Sequence, residues 1–328
     1  MDAPVPAPAA KPMRDAVLMR ICDAMQCDKD IFFVTADFGS PVLDKIHTDY
    51  PDRFINVGIA EQNLINVCAG LALEGFKVFA YAIAPFITMR CYEQIRVSLA
   101  LLSQVRRMNV TLIGVGAGYS YVVSGPTHQC FEDLTLMRAI PNISIYSPAD
   151  HISAAALFES CLACEGPSYL RLDAQALPVI YEHEPSLALG FHVHSEGRYL
   201  CLLSTGYMVH TALKVAAFLK QKGIDAGVID LFAITDFDES ALQTVLASYA
   251  GIVTMEEGFR GRGGVDAMLF DYAVRKSLSA NILNIGVHPT YCFELGTRES
   301  LHEKVGIGVK AACDSIACFM AKLTKEAA

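Results

Sequence analysis

The chain is 328 residues long, 53% hydrophobic and 19% charged, with a formal net charge of −9 from 26 basic and 35 acidic residues. That length predicts two domains, and the apolar content excludes a disordered chain. The acidic balance argues against a general nucleic-acid or anionic-membrane surface, and no apolar run reaches membrane-spanning length unbroken. The 11 cysteines are an odd number scattered through apolar segments with no signal peptide ahead of them, so they read as reduced thiols of a cytoplasmic protein. The positive mean hydropathy points to apolar surface covered by a partner.

Residues 1–12, MDAPVPAPAAKP, predict a disordered tail. A helix follows over 13–26, then a buried strand IFFVTAD (31–37) and a helix over 42–49. FINV (54–57) reads as a short strand, and behind it Leu64, Val67, Cys68, Leu71 and Leu73 recur at helical spacing, with Gly58 at the join. KVFAYAI (77–83) predicts a strand, about 87–102 one long helix, and VTLIGVG (110–116) another buried strand. The loop AGYSYVVSGPTHQ is followed by a helical CFEDLTLMRAI, a strand NISIYSP, a helix capped by Asp150 and a strand PSYLRLD (167–173). The alternation lapses over 175–197, predicting a linker between a first domain at 13–174 and a second at 198–328. The second unit runs from YLCLLST (199–205) through AGVIDL, GIVTMEE and NILNIGV to a last helix over 300–323. Short apolar strands alternating with helices predict an α/β fold: two successive three-layer domains, each a mainly parallel sheet covered on both faces.

Glu61 is the least expected residue, an acid opening a mostly apolar helix at the end of a strand. It reads either as a first-turn acid favoured by the helix N-terminus or as a shielded carboxylate on the sheet edge where open α/β folds bind ligands. His128, in the compact Gly125-Pro126-Thr127-His128-Gln129, falls after a strand on that same edge, as a surface histidine or a catalytic one. Phe86, with Arg90 four residues on, is either core or a stacking platform for a planar ring. Arg171, ending an apolar strand, needs a partner if buried. Glu256-Glu257-Gly258 before Gly261, Gly263 and Gly264 reads as close backbone packing at an interface, because paired acids would repel a phosphate. Cys161 and Cys164 lie in a core helix, and no cluster has metal-ligand spacing.

TADF (35–38), RFINVGIAEQN (53–63), RCYEQIR (90–96), SGPTHQCFEDLTLMRAIPN (124–142), SPAD (147–150), GPSYLRL (166–172), STGYMV (204–209) and VTMEEG (253–258) stand in the order of one known pattern. Nearly the whole chain after residue 12 resembles the C-terminal half of transketolase, its pyrimidine-binding domain followed by its C-terminal domain. The resemblance implies thiamine diphosphate as cofactor, with Glu61 on its aminopyrimidine ring, Phe86 stacked on that ring, and Asp37, Ile83 and Arg90 at further cofactor-facing positions. It implies that His128 acts on substrate oxygens, with Ser124 and Arg171 beside the substrate. It also implies a split transketolase, because nothing here resembles the diphosphate-binding half. Mg²⁺ and the diphosphate would be held by a partner subunit in an α2β2 complex.

Three departures bear on the substrate. Ser124 stands where the family carries an acid, Ala174 where it carries a phosphate-clamping arginine, and Ile83 where it has a phenylalanine. They point to a sugar or sugar-phosphate donor or acceptor of unusual kind, unphosphorylated or differently charged. The β subunit of a 2-oxoacid dehydrogenase and a catalytically inactive scaffold are the competing readings.

Overall fold

The computed structural model of the chain describes residues 9–326. Strands β1 (Ile31–Thr35), β2 (Phe54–Asn56), β3 (Lys77–Ile83), β4 (Val110–Val115), β5 (Ser144–Tyr146) and β6 (Ser168–Leu172) form a parallel sheet in the order β2-β1-β3-β4-β6-β5. The central strands are buried along their length, as an apolar run covered on both faces requires. On one face, helices Met13–Cys27 and His151–Ala163 bring Val17, Ile21, Leu157 and Phe158 onto Phe33 and Phe79. Asp150 caps the second of these helices through a reciprocal box with Ser153. On the other face, helix Glu61–Leu73 and the segment after β3 contribute Leu64, Ile65, Ile87, Ile95 and Leu99.

The second sheet comprises β7 (Phe191–Ser195), β8 (Leu200–Ser204), β9 (Ala226–Leu231), β10 (Gly251–Phe259) and β11 (Asn281–Val287), in the order β11-β10-β8-β9-β7. β7 alone runs antiparallel, on β9. Helices Met208–Gln221 and Val309–Glu326 cover one face through Ala212, Val215, Leu219 and Ile316. On the other face, Leu203, Ile229 and Leu231 join the same apolar core as Leu64 and Ile87, so one core runs through both domains.

The predicted elements differ from this fold in four places. Residues 1–8 of the predicted tail lie outside the described residues, and Pro12 pairs with Ala176 across an isolated bridge. The predicted linker contains β7, an edge strand of the second sheet. The long helix is a run of π turns at Phe86–Arg90 and Ile95–Leu101 around a short α segment, Tyr92–Gln94. The last helix is two, Arg298–Val305 and Val309–Glu326, because Gly306 at φ 85° terminates the first.

The domains meet over a buried ion network. Arg298 donates through Nη1 to Asp173 at 2.5 Å, and through Nε and Nη2 to the two oxygens of Glu257 at 3.0 and 2.5 Å. Glu257 also faces His302 Nε2 at 2.6 Å and accepts from the Tyr119 N–H at 3.2 Å. Burial pushes the Glu257 carboxyl upward, yet Arg298 and His302 hold it below the usual range. Glu256 turns the other way and accepts from the Val265 and Asp266 N–H groups, filling the helix N-terminus that a phosphate cradle would need. Burial raises its carboxyl to about 7.

Replacing Arg298 by Ala leaves Asp173 and Glu257 buried without their cation, and the expected loss of unfolding free energy is about 3–5 kcal/mol, read from urea titration. A second buried acid sets a pH dependence. Asp230 on β9 accepts from the Tyr181 hydroxyl at 2.7 Å, and burial raises its carboxyl from 3.8 to about 8. The folded state therefore binds a proton that the unfolded state releases, so this stability is full below about pH 4 and lost as pH rises through about 8. The urea midpoint of wild type is expected to fall over that interval, and Asp230→Asn to flatten the fall.

Candidate functional site

The C-terminal ends of β1 to β4 and the loops that leave them carry the candidate residues. β2 ends at Asn56, and Gly58, at φ 73°, turns the chain so that Glu61 opens its helix. Glu61 is 3% exposed. The carboxylate is shielded at the sheet edge and also paired: Arg90 Nη1 donates to Glu61 Oε2 at 2.5 Å. Arg90 reaches it because the π turn at Phe86–Arg90 presents both residues on the side facing the Glu61 helix, where Gln62 Nε2 donates to the Arg90 carbonyl at 3.1 Å. The Arg90 guanidinium also lies 4.6 Å from the Phe86 ring centroid. Beneath them Cys91 is buried, and burial first and the Glu61 charge second push its thiol up to about 12.

His128 approaches from the loop after β4. Its ring meets Phe86 edge-on at 5.3 Å and Tyr121 at 6.1 Å, and Thr127 Oγ1 lies 3.0 Å from Nδ1. The loop is closed at its neck by paired backbone bonds between Gly118 and Cys130 at 2.9 and 3.1 Å. Gly118 has φ 55°, and a Cβ there would enter the Glu257 carboxylate, so no other residue fits. Tyr119 N–H on Glu257 and Ser120 Oγ on Asp173 at 2.9 Å fix the neck to the domain junction. Glu61, Arg90, Phe86, His128 and Tyr121 thus form one continuous set of contacts.

Asp37, also at positive φ (53°), ends the turn after β1 and bonds Asn56. Ile83 is half-buried at the end of β3, and Ser124 is exposed on the loop, its N–H donating to the Tyr121 carbonyl at 3.3 Å. Arg171 is placed elsewhere. It is 3% exposed, donates to Asp133 Oδ2 at 2.7 Å and to the Glu257 carbonyl at 3.1 Å, and joins the two domains rather than facing the loop. β6 is buried on both faces, so either direction takes the side chain out of water, and a buried guanidinium needs those partners.

Arg14 was not singled out in the sequence. It lies in the first turn of helix Met13–Cys27, half-buried against Asp15. Burial raises the Tyr121 phenol to about 12, and the Arg14 charge acts against that rise. A cation in a helix's first turn opposes the dipole, which is the signal that could have marked it. A hollow of about 320 Å³ lined by Asp37, Phe38, His47 and Asn56 adjoins this edge, whereas one of about 470 Å³ beside Arg198 and Lys220 contains none of the candidates. Among the described residues no group of three or more His, Cys, Asp or Glu could hold a metal ion, and no helix is long and apolar enough to cross a membrane.

Residues 9–179 match the pyrimidine binding domain of transketolase, and residues 190–311 match its C-terminal domain. The chain is 30% identical over 298 residues to an apulose-4-phosphate transketolase subunit of Phocaeicola vulgatus, covering 90% of this chain and 93% of that one. It is 30% identical over 301 residues to a 6-deoxy-6-sulfo-D-fructose transketolase subunit of a Clostridium species, covering 91% of each. Among solved structures, a split gene transketolase in an inactive beta4 tetramer superposes with a TM-score of 0.82 at 27% identity, over 94% of this chain and 98% of that one. A Pichia stipitis transketolase shares the fold at a TM-score of 0.80 and 20% identity, this chain spanning 48% of it. Two domain matches in sequence, on a fold that brings Glu61, Phe86 and His128 to one edge, establish that the chain belongs to the transketolase family, as its pyrimidine-binding and C-terminal domains.

Proposed function

We propose that this chain is the C-terminal subunit of a split transketolase that moves a two-carbon ketol unit from a ketose donor to an aldose acceptor. The observation that carries this reading is the contact set Glu61–Arg90–Phe86–His128, an acid, a cation, an apolar ring and an imidazole within touching distance at one sheet edge. These residues fit one end of thiamine diphosphate. Phe86 offers a half-buried ring face, and Glu61 a buried carboxylate able to hold or pass a proton at a ring nitrogen. When bound, thiamine diphosphate supplies an acidic ring carbon able to accept and release the two-carbon fragment.

The chain's own residues have separable tasks. Glu61 would exchange a proton with a ring nitrogen through Oε2, once Arg90 releases that oxygen. His128, its Nδ1 side engaged by Thr127, turns Nε2 toward substrate oxygens and exchanges a proton there. Arg14 supports an anionic end on the substrate, a reading favoured by the two relatives' names, one a phosphorylated ketose and the other a sulfonated one. The missing arginine at position 174 then reflects a different clamp rather than an uncharged substrate. Mg²⁺ and the diphosphate would be held by an N-terminal partner subunit in an α2β2 assembly; the split itself is supported by the likeness to a split gene transketolase.

Co-expression with a diphosphate-domain partner, followed by titration of thiamine diphosphate and Mg²⁺, is expected to give tight binding in the complex and not in this chain alone. Glu61→Gln in that complex keeps the fold and lowers turnover by about 10²–10⁴-fold. Near-wild-type turnover in that variant overturns the assignment.

A further inference from the structure

Asn56 ends β2 between the strained turn after β1 and the turn that opens the Glu61 helix. Its Oδ1 accepts from the Asp37 N–H at 3.1 Å and from the Gly58 N–H at 2.9 Å, while its Nδ2 donates to Asp37 Oδ1 at 3.2 Å. Both joined backbones are unusual, with φ 53° at Asp37 and 73° at Gly58. Two residues on, the Ala60 N–H donates to the Gly58 carbonyl at 2.7 Å, and Glu61 follows as the first helical residue.

A helix N-terminus is ordinarily held by a side-chain cap. Ala60 stands at the cap position here and supplies none. Among the described residues, the Val57 N–H on the Thr35 carbonyl at 3.0 Å ties the strand end, and Gln62 Nε2 on the Arg90 carbonyl at 3.1 Å ties the helix itself, but neither ties the turn. Asn56 does tie the turn, and the amide is the group that can do so, because it accepts twice through oxygen and donates through nitrogen. A hydrocarbon offers neither, and a carboxylate offers no donor to Asp37.

We propose that Asn56 is a positioning residue for the reaction of this site. By joining Asp37 to Gly58 it sets where the helix Glu61–Leu73 begins, and therefore which way the Glu61 carboxylate points. A helix start slipped by one residue would turn its side chains by about 100°. Even a shift of about 1 Å in a catalytic group can lower turnover by about 10²-fold. The catalytic part of this inference rests on the function proposed above, and the geometric part stands without it.

The test uses Asn56→Ala and Asn56→Asp, each in the complex with the diphosphate-binding partner and in the free chain. Asn56→Ala is expected to lower kcat about tenfold or more while donor KM moves less than about twofold. In the free chain, amide hydrogen exchange over residues 57–62 speeds about tenfold, with the rest of the chain unchanged. Asn56→Asp keeps both acceptor bonds but faces the Asp37 carboxylate. It offers Asp37 Oδ1 no donor, and two carboxylates then stand where Nδ2 and Oδ1 now bond at 3.2 Å. Its kcat is therefore expected to fall in the same direction as that of Asn56→Ala, with donor KM again moving less than about twofold.

An unchanged kcat in folded Asn56→Ala, or in folded Asn56→Asp, overturns the proposal. Should Asn56→Ala not fold, the kcat and donor KM of Asn56→Asp decide alone. If the wild-type complex transfers no ketol unit from any donor, the proposed function fails separately. Exchange over 57–62 then decides the geometric claim: faster and local upholds it, unchanged overturns it.

Discussion

The structure depends on one buried guanidinium. Arg298 sits 3.6 Å over the Tyr207 ring, with Asp173 of the first domain on one side and Glu257 of the second on the other. Removing three charges from water is costly, and the cost is offset only where each has several partners at short range. Each does: Asp173 also accepts from Ser120, and Glu257 from Tyr119 and its neighbour His302. The apolar core that runs through both domains supplies adhesion without choosing a register, because hydrophobic contact is non-directional. The ion network chooses it. The same bonds hold the neck of the His128 loop, so the relative placement of the domains and of His128 are one constraint.

A second anchoring follows from Arg171. Its fork joins Asp133, at the start of helix Asp133–Arg138, to the carbonyl of Glu257. Tyr169, on the same strand, donates to that same Asp133 oxygen at 2.8 Å. The helix after the His128 loop is thereby fixed as firmly as the neck before it. A long loop between two anchored ends is the arrangement expected where a half-buried imidazole must keep one position.

Much of this was legible in the sequence. β3, β9 and β11 match the predicted runs residue for residue, and for β3 and β9 the reason is that apolar runs buried on both faces have few alternatives. Glu61 was legible as an acid out of keeping with its apolar helix, while the residue pattern left Phe86 and His128 each between two readings. β7 was not, since FHVHS is an edge strand with half-buried histidines and its partner β9 lies far along the chain. Arg90's bond to Glu61 depends on π turns that no residue pattern announces. Arg171 could be recognised as needing a partner, but which partner is a property of the domain interface. Asn56 and Arg14 carry only weak local marks, an Asx residue before a glycine turn and a cation at a helix start.

The π turn at Phe86–Arg90 holds one residue more than an α-helical turn would in the same rise. It can be regarded as an insertion absorbed into a helix. A chain shorter by one residue there would keep Ile95 and Leu99 in the core, since everything downstream is held by its own packing. The upstream half would rotate by about 100° about the helix axis. Phe86 would leave His128, and Arg90 would leave Glu61. Chain length at this turn therefore decides whether an aromatic wall and a cation stand at the site, independently of which residues encode them.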